Sequence, residues 1–177
     1  GDQDTLCNLT NHSYFNLLGH AHGSLGDQKI QILADAITEM DENSTPTGTI
    51  LPVEGTPFDL REPVEIGKGL AMDHIQLKMG NGYDHNFVLH HQPKGPMKLA
   101  ARATGGGLCL ECWTTQPGIQ FYTANFLEGD AGKGGACYGF RSAYCLETQI
   151  WPDAIHHSNF PSVVLRGGEN YHHTTTY

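Results

Sequence analysis

The feature that most constrains the fold of this chain is a set of short segments in which apolar and polar residues alternate. A period of two is the pattern of a β-strand with one buried face. Strict alternation marks residues 29–33, 108–113 and 144–150, and further strand candidates are residues 97–103, 119–125 and 162–165. Turns rich in glycine or proline separate them, at residues 45–48, 54–57, 80–82, 105–107, 129–135 and 167–168.

Short strands punctuated by turns predict an all-β fold, an antiparallel β-sandwich or a barrel. Only residues 62–78 are helix-like, and Gly67 and Gly69 interrupt that stretch. At 177 residues and 38% hydrophobic content, the chain is long enough for one domain with a substantial core. We therefore expect a single domain over residues 1–177.

The charge balance disfavours several classes of partner. The formal net charge is −9, with only ten Lys and Arg residues, scattered along the chain. This argues against nucleic acid or an anionic membrane surface as the partner and favours a neutral small molecule. No apolar run reaches membrane-spanning length. Five cysteines without framework spacing indicate free thiols in a reducing compartment, so we expect a cytoplasmic protein.

Eleven histidines and a Cys109–Cys112 pair raise the question of a metal site. Residues three apart on a strand point to opposite faces, so the two sulfurs would not converge on one ion. Adjacent histidine pairs, such as His90–His91 and His156–His157, should diverge for the same reason. Neither a second C-x-x-C nor an H-E-x-x-H motif is present. We therefore expect no metal.

Glu147 is the most informative carboxylate. Alternation along residues 144–150 places it on one face with Cys145 and Gln149, opposite Leu146. A glutamate on so apolar a strand is partly desolvated if that face is covered, which raises its pKa and makes it a better base near neutral pH. The alternative is an outward-facing, solvated glutamate on an ordinary amphipathic strand.

Three other residues have both an ordinary and a chemical interpretation. Asp84 stands where a turn becomes a strand, a common place for a turn-forming aspartate. Gln116 precedes Pro117 at a strand end, where ligands often bind but where most glutamines are merely solvated. His12 lies in the polar and aromatic stretch of residues 8–17 and is either an acid–base group or a polar residue near the start of the chain.

Taken together and in order, these segments resemble the aldose 1-epimerase (galactose mutarotase) family. The matching pieces are NLTNHSYFNL at residues 8–17, PTG at 46–48 followed by GTPFDL at 55–60, GYDHN at 82–86, TQPG at 115–118 with QFYT at 120–123, and CLETQ at 145–149 with WPDA at 151–154 and NFP at 159–161. The resemblance implies a large antiparallel β-sandwich. Because family chains are roughly twice this length, it also implies that the chain is the C-terminal half and that the N-terminal half is its partner.

The resemblance further implies a reaction and roles for four residues. The family interconverts the α and β anomers of free aldohexoses such as galactose and glucose. Glu147 matches the general base that takes the anomeric hydroxyl proton, and His12 matches the general acid that protonates the ring oxygen. Asp84 matches a residue that binds sugar hydroxyls, and Gln116 resembles a further substrate contact. No metal or organic cofactor is implied.

Two alternative functions stay open at this point. One is a non-catalytic sugar-binding or regulatory relative, although mere binding does not need both His12 and Glu147. The other is a hexose 6-phosphate 1-epimerase, which would need clustered Arg or Lys residues for the phosphate. We expect this chain to be inactive without the upstream half.

Overall fold

The structure is a computed structural model that describes residues 1–90 and 95–177. It is dominated by antiparallel strands: β1 (Thr5–Leu6), β2 (Tyr14–Phe15), β3 (Lys29–Ile32), β4 (Ala34–Met40), β5 (Pro46–Pro52), β6 (Val64–Glu65), β7 (Asp84–Leu89), β8 (Lys98–Gly105), β9 (Leu108–Thr114), β10 (Gly118–Tyr122), β11 (Asp130–Ala131), β12 (Cys137–Tyr138), β13 (Tyr144–Gln149), β14 (Val164–Leu165) and β15 (Thr175–Thr176). The helices are α1 (Ile66–Leu70) and α2 (Ile75–Met79), with short 3₁₀ turns at Lys133–Gly135 and Ala154–His156.

Two larger sheets organise these strands. One has six strands in the order β2-β13-β10-β7-β4-β5, and the other has five in the order β15-β9-β8-β3-β6. Strands β1 and β14 form a separate pair, as do β11 and β12. The predicted all-β antiparallel fold is confirmed.

The main core lies between the two larger sheets. A single cluster of buried side chains joins Phe87, Phe121 and Leu146 of the six-stranded sheet to Ile30 and Cys112 of the five-stranded sheet. Each sheet therefore presents its apolar face to the other, which is the arrangement of a β-sandwich. Because side chains alternate along a strand, the intervening residues of the six-stranded sheet lie on its outer face.

The strand register decides which residues share that outer face. Glu147 of β13 pairs with Gln120 of β10, which pairs with Asn86 of β7. One step along, Cys145 pairs with Tyr122, which pairs with Asp84, and Cys145 also pairs with Tyr14 of the edge strand β2. These two cross-strand rows place polar and aromatic side chains side by side on the face away from the core.

The predicted strands are present with shifted ends. The segment expected at 119–125 ends at Tyr122, the one at 162–165 is reduced to Val164–Leu165, and the one at 97–103 runs from Lys98 to Gly105. The predicted hairpin turn at 105–107 is confirmed, since β8 ends at Gly105 and β9 begins at Leu108. Gly106 and Gly107 both have positive φ angles, 58° and 79°, as the tight hairpin turn requires.

Strands β4 and β5 are not among the strands predicted from the sequence. Residues 45–48 have the composition of a turn, yet Pro46 begins β5. This is tolerated because β5 is the last strand of its sheet, where a proline without an N–H group leaves no ladder hydrogen bond unmade.

The helix-like stretch at residues 62–78 is divided, but not where its glycines stand. Gly67 and Gly69 both lie inside α1, and the chain leaves the helix only after Leu70. A Cβ on Gly69 would come within 2.0 Å of the Tyr83 hydroxyl oxygen, and one on Gly67 within 3.0 Å of the Gly26 carbonyl oxygen. These glycines therefore allow close packing rather than break the helix.

Candidate active site

The outer face of the six-stranded sheet carries an open cleft of about 310 Å³. Its lining residues are mostly polar or aromatic and come from β2, β7, β10, β13 and the loops beside them: His12, Tyr14, Asp84, Gln120, Tyr122, Phe126, Glu147, Gln149 and Pro152. Three of the four residues singled out in the sequence, His12, Asp84 and Glu147, lie together here.

His12 and Glu147 are in direct contact. His12 Nε2 lies 3.4 Å from Glu147 Oε1, and the Glu147 side chain is only 10% exposed whereas that of His12 is 50% exposed. His12 is held by the segment that leads into β2, and its ring lies 5.1 Å from the Tyr14 ring and 6.1 Å from the Tyr122 ring between centroids. The half-exposed imidazole thus faces the cleft while the carboxylate beneath it is largely removed from solvent.

Burial raises the pKa of Glu147 to about 7, an effect that the nearby His12 opposes and the Asp84 carboxylate reinforces. Of the two interpretations open for Glu147, the structure supports the desolvated carboxyl rather than the solvated one. A carboxyl that titrates near neutrality is suited to exchange protons there, because its protonated and ionised forms are both populated.

Asp84 lies on the adjacent cross-strand row and is anchored by Gln120. Gln120 Nε2 donates to Asp84 Oδ1 at 2.8 Å, and Gln149 Nε2 donates to Gln120 Oε1 at 3.2 Å. Burial raises the pKa of Asp84, while the hydrogen bond from Gln120 opposes the rise. The second carboxylate oxygen makes no side-chain hydrogen bond among the described residues, so it is available to a polar ligand.

Gln116 does not join this group. Its side chain is buried in a separate cavity beside Thr148 and Tyr171, and its Nε2 donates to the Tyr171 hydroxyl at 2.8 Å. That cavity shares no lining residue with the cleft. Since β10 begins only at Gly118, the chain changes course at Pro117, and Gln116 does not continue the outward-facing row of Gln120.

Gln120 is the residue that the sequence reasoning missed. The signal was available: Ile119 and Phe121 are apolar and buried in the core, so alternation places Gln120 on the opposite face. The aromatic wall of Tyr14, Tyr122 and Phe126 was also missed. Tyr122 and Phe126 stack with their centroids 6.4 Å apart, and Phe126 is 62% exposed.

The histidine and cysteine motifs behave partly as predicted. Cys109 is exposed and Cys112 is buried, so their sulfurs do not meet. The expectation that His156 and His157 diverge is wrong: both rings contact the carboxylate of Asp153, because the segment forms a 3₁₀ turn rather than a strand. His91, the second residue of another histidine pair, lies outside the described residues.

Three donors outside those motifs do meet. His12, Cys145 and Glu147 each offer one ligand atom, and these atoms lie within 4.8 Å of one another. The sequence-based expectation of no metal rested on the C-x-x-C and adjacent-histidine motifs and on the family resemblance, and it did not consider this group.

Comparison with known proteins identifies the class to which this fold and site belong. The sequence model of the family "Aldose 1-epimerase" matches residues 1–177. The chain therefore belongs to the aldose 1-epimerase family, as its sequence motifs suggested.

Individual relatives agree with that assignment. The chain is 51% identical to galactose mutarotase from Sus scrofa and 49% identical to that from Homo sapiens, in each case over 99% of this chain and 50% of the relative. It is 37% identical to aldose 1-epimerase from Escherichia coli strain K12, over 99% of this chain and 51% of the relative. The chain thus spans about half the length of these relatives.

Solved structures resemble the fold over the same extent. A GalM/aldose epimerase homologue from C. elegans superposes with a TM-score of 0.80 at 28% identity, covering 97% of this chain and 50% of the other. Galactose 1-epimerase from Lactobacillus acidophilus gives a TM-score of 0.77 at 27% identity, covering 98% and 48%. Among the described residues, no helix is long and apolar enough to cross a membrane.

Proposed function

We propose that the whole protein is an aldose 1-epimerase that interconverts the α and β anomers of a free aldohexose, galactose or glucose. The observation that carries this proposal is the contact between a buried carboxyl with a pKa raised to about 7 and a half-exposed imidazole, at the bottom of an open polar cleft. The relatives named galactose mutarotase and aldose 1-epimerase support it.

Ring opening needs one proton removed and one supplied, at two oxygens bonded to the same carbon. In this proposal, the Glu147 carboxylate accepts the proton of the anomeric hydroxyl, and protonated His12 gives a proton to the ring oxygen. The bond between C1 and the ring oxygen breaks as the C1 carbonyl forms. Because His12 Nε2 and Glu147 Oε1 are 3.4 Å apart, one pair can serve two neighbouring oxygens.

Ring closure reverses the same transfers. Rotation about the C1–C2 bond presents the other face of the carbonyl, His12 takes back the proton from the sugar hydroxyl, and protonated Glu147 returns its proton to the carbonyl oxygen. The reaction starts from a carboxylate beside an imidazolium, and the contact between these opposite charges offsets part of the cost of burying the Glu147 carboxylate. No redox change occurs and no proton is consumed.

Asp84 is proposed to accept hydrogen bonds from sugar hydroxyls. Its Oδ1 already accepts a hydrogen bond from Gln120, whereas Oδ2 has no side-chain donor among the described residues and so can accept from a sugar hydroxyl. The exposed aromatic rings of Tyr14 and Phe126 would pack against the apolar face of the sugar ring. Gln116 remains a predicted substrate contact only if a ligand also reaches the separate cavity where it lies.

The residues that line the cleft also favour this proposal over the two alternatives, a hexose 6-phosphate 1-epimerase and a non-catalytic sugar-binding protein. None of its described lining residues is Lys or Arg, while Asp84 and Glu147 are acidic. A hexose 6-phosphate would meet carboxylates rather than cations there, so a neutral sugar is the better substrate. A binding protein without catalysis would gain nothing from a desolvated acid–base pair, which costs stability.

Two further proposals concern the rest of the protein and the compartment in which it works. We propose that residues 1–177 form one unit and that the rest of the protein supplies further strands and covers part of the cleft, which the half-exposed His12 side chain supports. All five cysteines are free, which supports a reducing compartment such as the cytoplasm.

Polarimetry on freshly dissolved α-D-galactose and α-D-glucose tests the proposed function in the whole protein. We expect the change in optical rotation to be accelerated at pH 7, and the acceleration to fall by at least ~100-fold in His12→Gln. His22→Gln, which alters an exposed histidine outside the cleft lining, is the matched control and should retain the rate. The proposal would be contradicted if the protein accelerated the anomer interconversion of α-D-glucose 6-phosphate alone, or that of none of these sugars.

A further inference from the structure

A second property of the cleft follows from the residue beside the acid–base pair. Cys145 lies two residues before Glu147 on β13, so the two side chains share the outer face of the sheet. His12 lies over both: its Nδ1 is 3.4 Å from Cys145 Sγ and its Nε2 is 3.4 Å from Glu147 Oε1. A thiol, an imidazole and a carboxylate therefore meet at one point.

These three groups are the ligand types of protein zinc sites. In tetrahedral coordination, with Zn–S of about 2.3 Å and Zn–N and Zn–O of about 2.0–2.2 Å, neighbouring ligand atoms are separated by roughly 3.3–3.8 Å. The three donor atoms here lie within 4.8 Å of one another. A contraction of at most about 1.5 Å closes the remaining gap, and the half-exposed His12 side chain has room to make it.

We propose that His12, Cys145 and Glu147 form a binding site for a thiophilic divalent cation of the Zn²⁺ type. The ion takes the Cys145 thiolate, one imidazole nitrogen and one carboxylate oxygen. The Cys145 S–H bond breaks as the metal–sulfur bond forms, and the released proton goes to solvent. The fourth position faces the open cleft and holds a water molecule.

The donor set also determines which ions are excluded. Thiolate and imidazole are soft or intermediate ligands, which favour Zn²⁺, Co²⁺ and Cd²⁺, whereas Mg²⁺ and Ca²⁺ require a shell of oxygen atoms. Only one carboxylate oxygen is contributed by the described group. Mg²⁺ should therefore neither bind there nor compete.

Occupation of this site would block the proposed reaction. The ion uses the lone pairs with which Glu147 and His12 exchange protons, and it fills the floor of the cleft that a sugar would enter. Zinc should thus inhibit anomer interconversion competitively with the sugar. This consequence, unlike metal binding itself, rests on the proposed function.

The binding test is spectroscopic and independent of activity. In the whole protein, the three cysteines of residues 1–177 that are exposed or half-buried are first replaced (Cys7→Ser, Cys109→Ser and Cys137→Ser), which leaves the buried Cys145 and Cys112. This protein is titrated with CoCl₂. We expect one equivalent to produce a thiolate-to-cobalt charge-transfer band together with the visible absorption of four-coordinate cobalt. Added ZnCl₂ should displace the cobalt and abolish the absorption, and MgCl₂ should leave it unchanged.

Two further variants assign the ligands. Cys145→Ser should abolish the charge-transfer band, and His12→Asn, at a half-exposed position that folding should tolerate, should weaken cobalt binding by at least ~10-fold. Cys112→Ser removes a buried thiol elsewhere in the core and should keep the band. Cobalt binding without a thiolate band, or a band that survives in Cys145→Ser, would overturn the proposal.

Measurements of mutarotation with and without zinc distinguish failure of the metal site from failure of the proposed function. If the wild-type protein accelerates mutarotation, ZnCl₂ should raise the apparent KM for galactose, and an uninhibited rate with the site loaded would contradict the inhibitory role. If the protein shows the cobalt band but no mutarotation, the metal site stands and the proposed function fails.

Discussion

The tripeptide Cys-Leu-Glu occurs twice in this chain, at residues 109–111 and 145–147, and the two copies lie in different sheets. Glu111 in β9 is partly exposed and accepts bonds from Arg102 Nη2 at 2.6 Å and from Trp113 Nε1 at 3.0 Å. Glu147 in β13 is buried, with only His12 as an ion-pair partner among the described residues. The same local sequence thus yields a surface ion pair in one sheet and a candidate general base in the other.

The pKa values of the two carboxyls move in opposite directions. Hydrogen bonds from Arg102 and Trp113 lower the pKa of Glu111, whereas burial raises that of Glu147 to about 7. Local sequence sets the face of the strand on which a glutamate lies, but the cover over that face sets its chemistry. Replacing Glu147, its neighbour Asp84 or Glu111 should therefore have different effects.

The largest difference is expected in catalysis. Glu147→Gln removes the proposed base and should slow anomer interconversion by at least ~100-fold, while Glu111→Gln, the matched control, should stay within about twofold of wild type. Polarimetry on α-D-galactose at pH 7 measures both. If the two variants lost similar amounts of activity, the position of Glu147 in the cleft would not explain its role in catalysis.

A smaller effect is expected when the neighbour of Glu147 is changed. Asp84→Asn turns a charged acceptor of sugar hydroxyls into a neutral one and should raise KM for galactose about tenfold. Because the Asp84 charge helps to raise the pKa of Glu147, its removal should shift the acid limb of the kcat/KM profile to lower pH. Asp35→Asn, outside the cleft lining, serves as the control. An unchanged KM and pH profile would remove Asp84 from the site.

The smallest effect is on stability, and its sign should differ between the two glutamates. The raised pKa of Glu147 means that the folded state holds its proton more tightly than the unfolded state, so the carboxyl costs stability as the pH rises from about 4.5 to 7. Glu147→Gln should therefore raise the Tm at pH 8 by ~2–4 °C and leave it unchanged at pH 4. The lowered pKa of Glu111 contributes stability that is fully present above the unfolded-state pKa of about 4.5 and is lost as the pH falls through the folded-state pKa, so Glu111→Gln should lower the Tm at pH 8.

Differential scanning calorimetry at the two pH values checks both signs. A Tm that falls at pH 8 in Glu147→Gln would show that contact with His12 outweighs the cost of burial. In that case the ionised form of Glu147 would stabilise the folded protein, as that of Glu111 does.

The alternation of side chains along a single strand predicted which residues of the site share a face, but it did not predict how the strands are ordered in the sheet. The period of two in β13 correctly placed Glu147 with Cys145 and Gln149, and the same rule applied to β10 would have found Gln120. Gln116 stays a predicted substrate contact, but the rule gives it no place in the cleft, because β10 begins only at Gly118, after the turn at Pro117. Such a rule is reliable only within an uninterrupted strand.

Other features depend on contacts between distant residues, which local patterns do not contain. Gly67 and Gly69 have the composition of helix breakers, but their role is set by Gly26 and Tyr83, which pack against them. The contact of His12 with Cys145 joins residues 133 positions apart. Burial of Glu147 likewise depends on the whole outer face, so its raised pKa could be anticipated only as one of two alternatives.

The opposite pKa shifts of the two glutamates can be measured in one titration by carboxyl ¹³C NMR of glutamate-labelled whole protein between pH 3 and 9. The two resonances are assigned from Glu147→Gln and Glu111→Gln. We expect a Glu147 midpoint at about 7 and a Glu111 midpoint below 4.5 in the same sample. A Glu147 resonance that titrates together with that of Glu111, at or below 4.5, would contradict it.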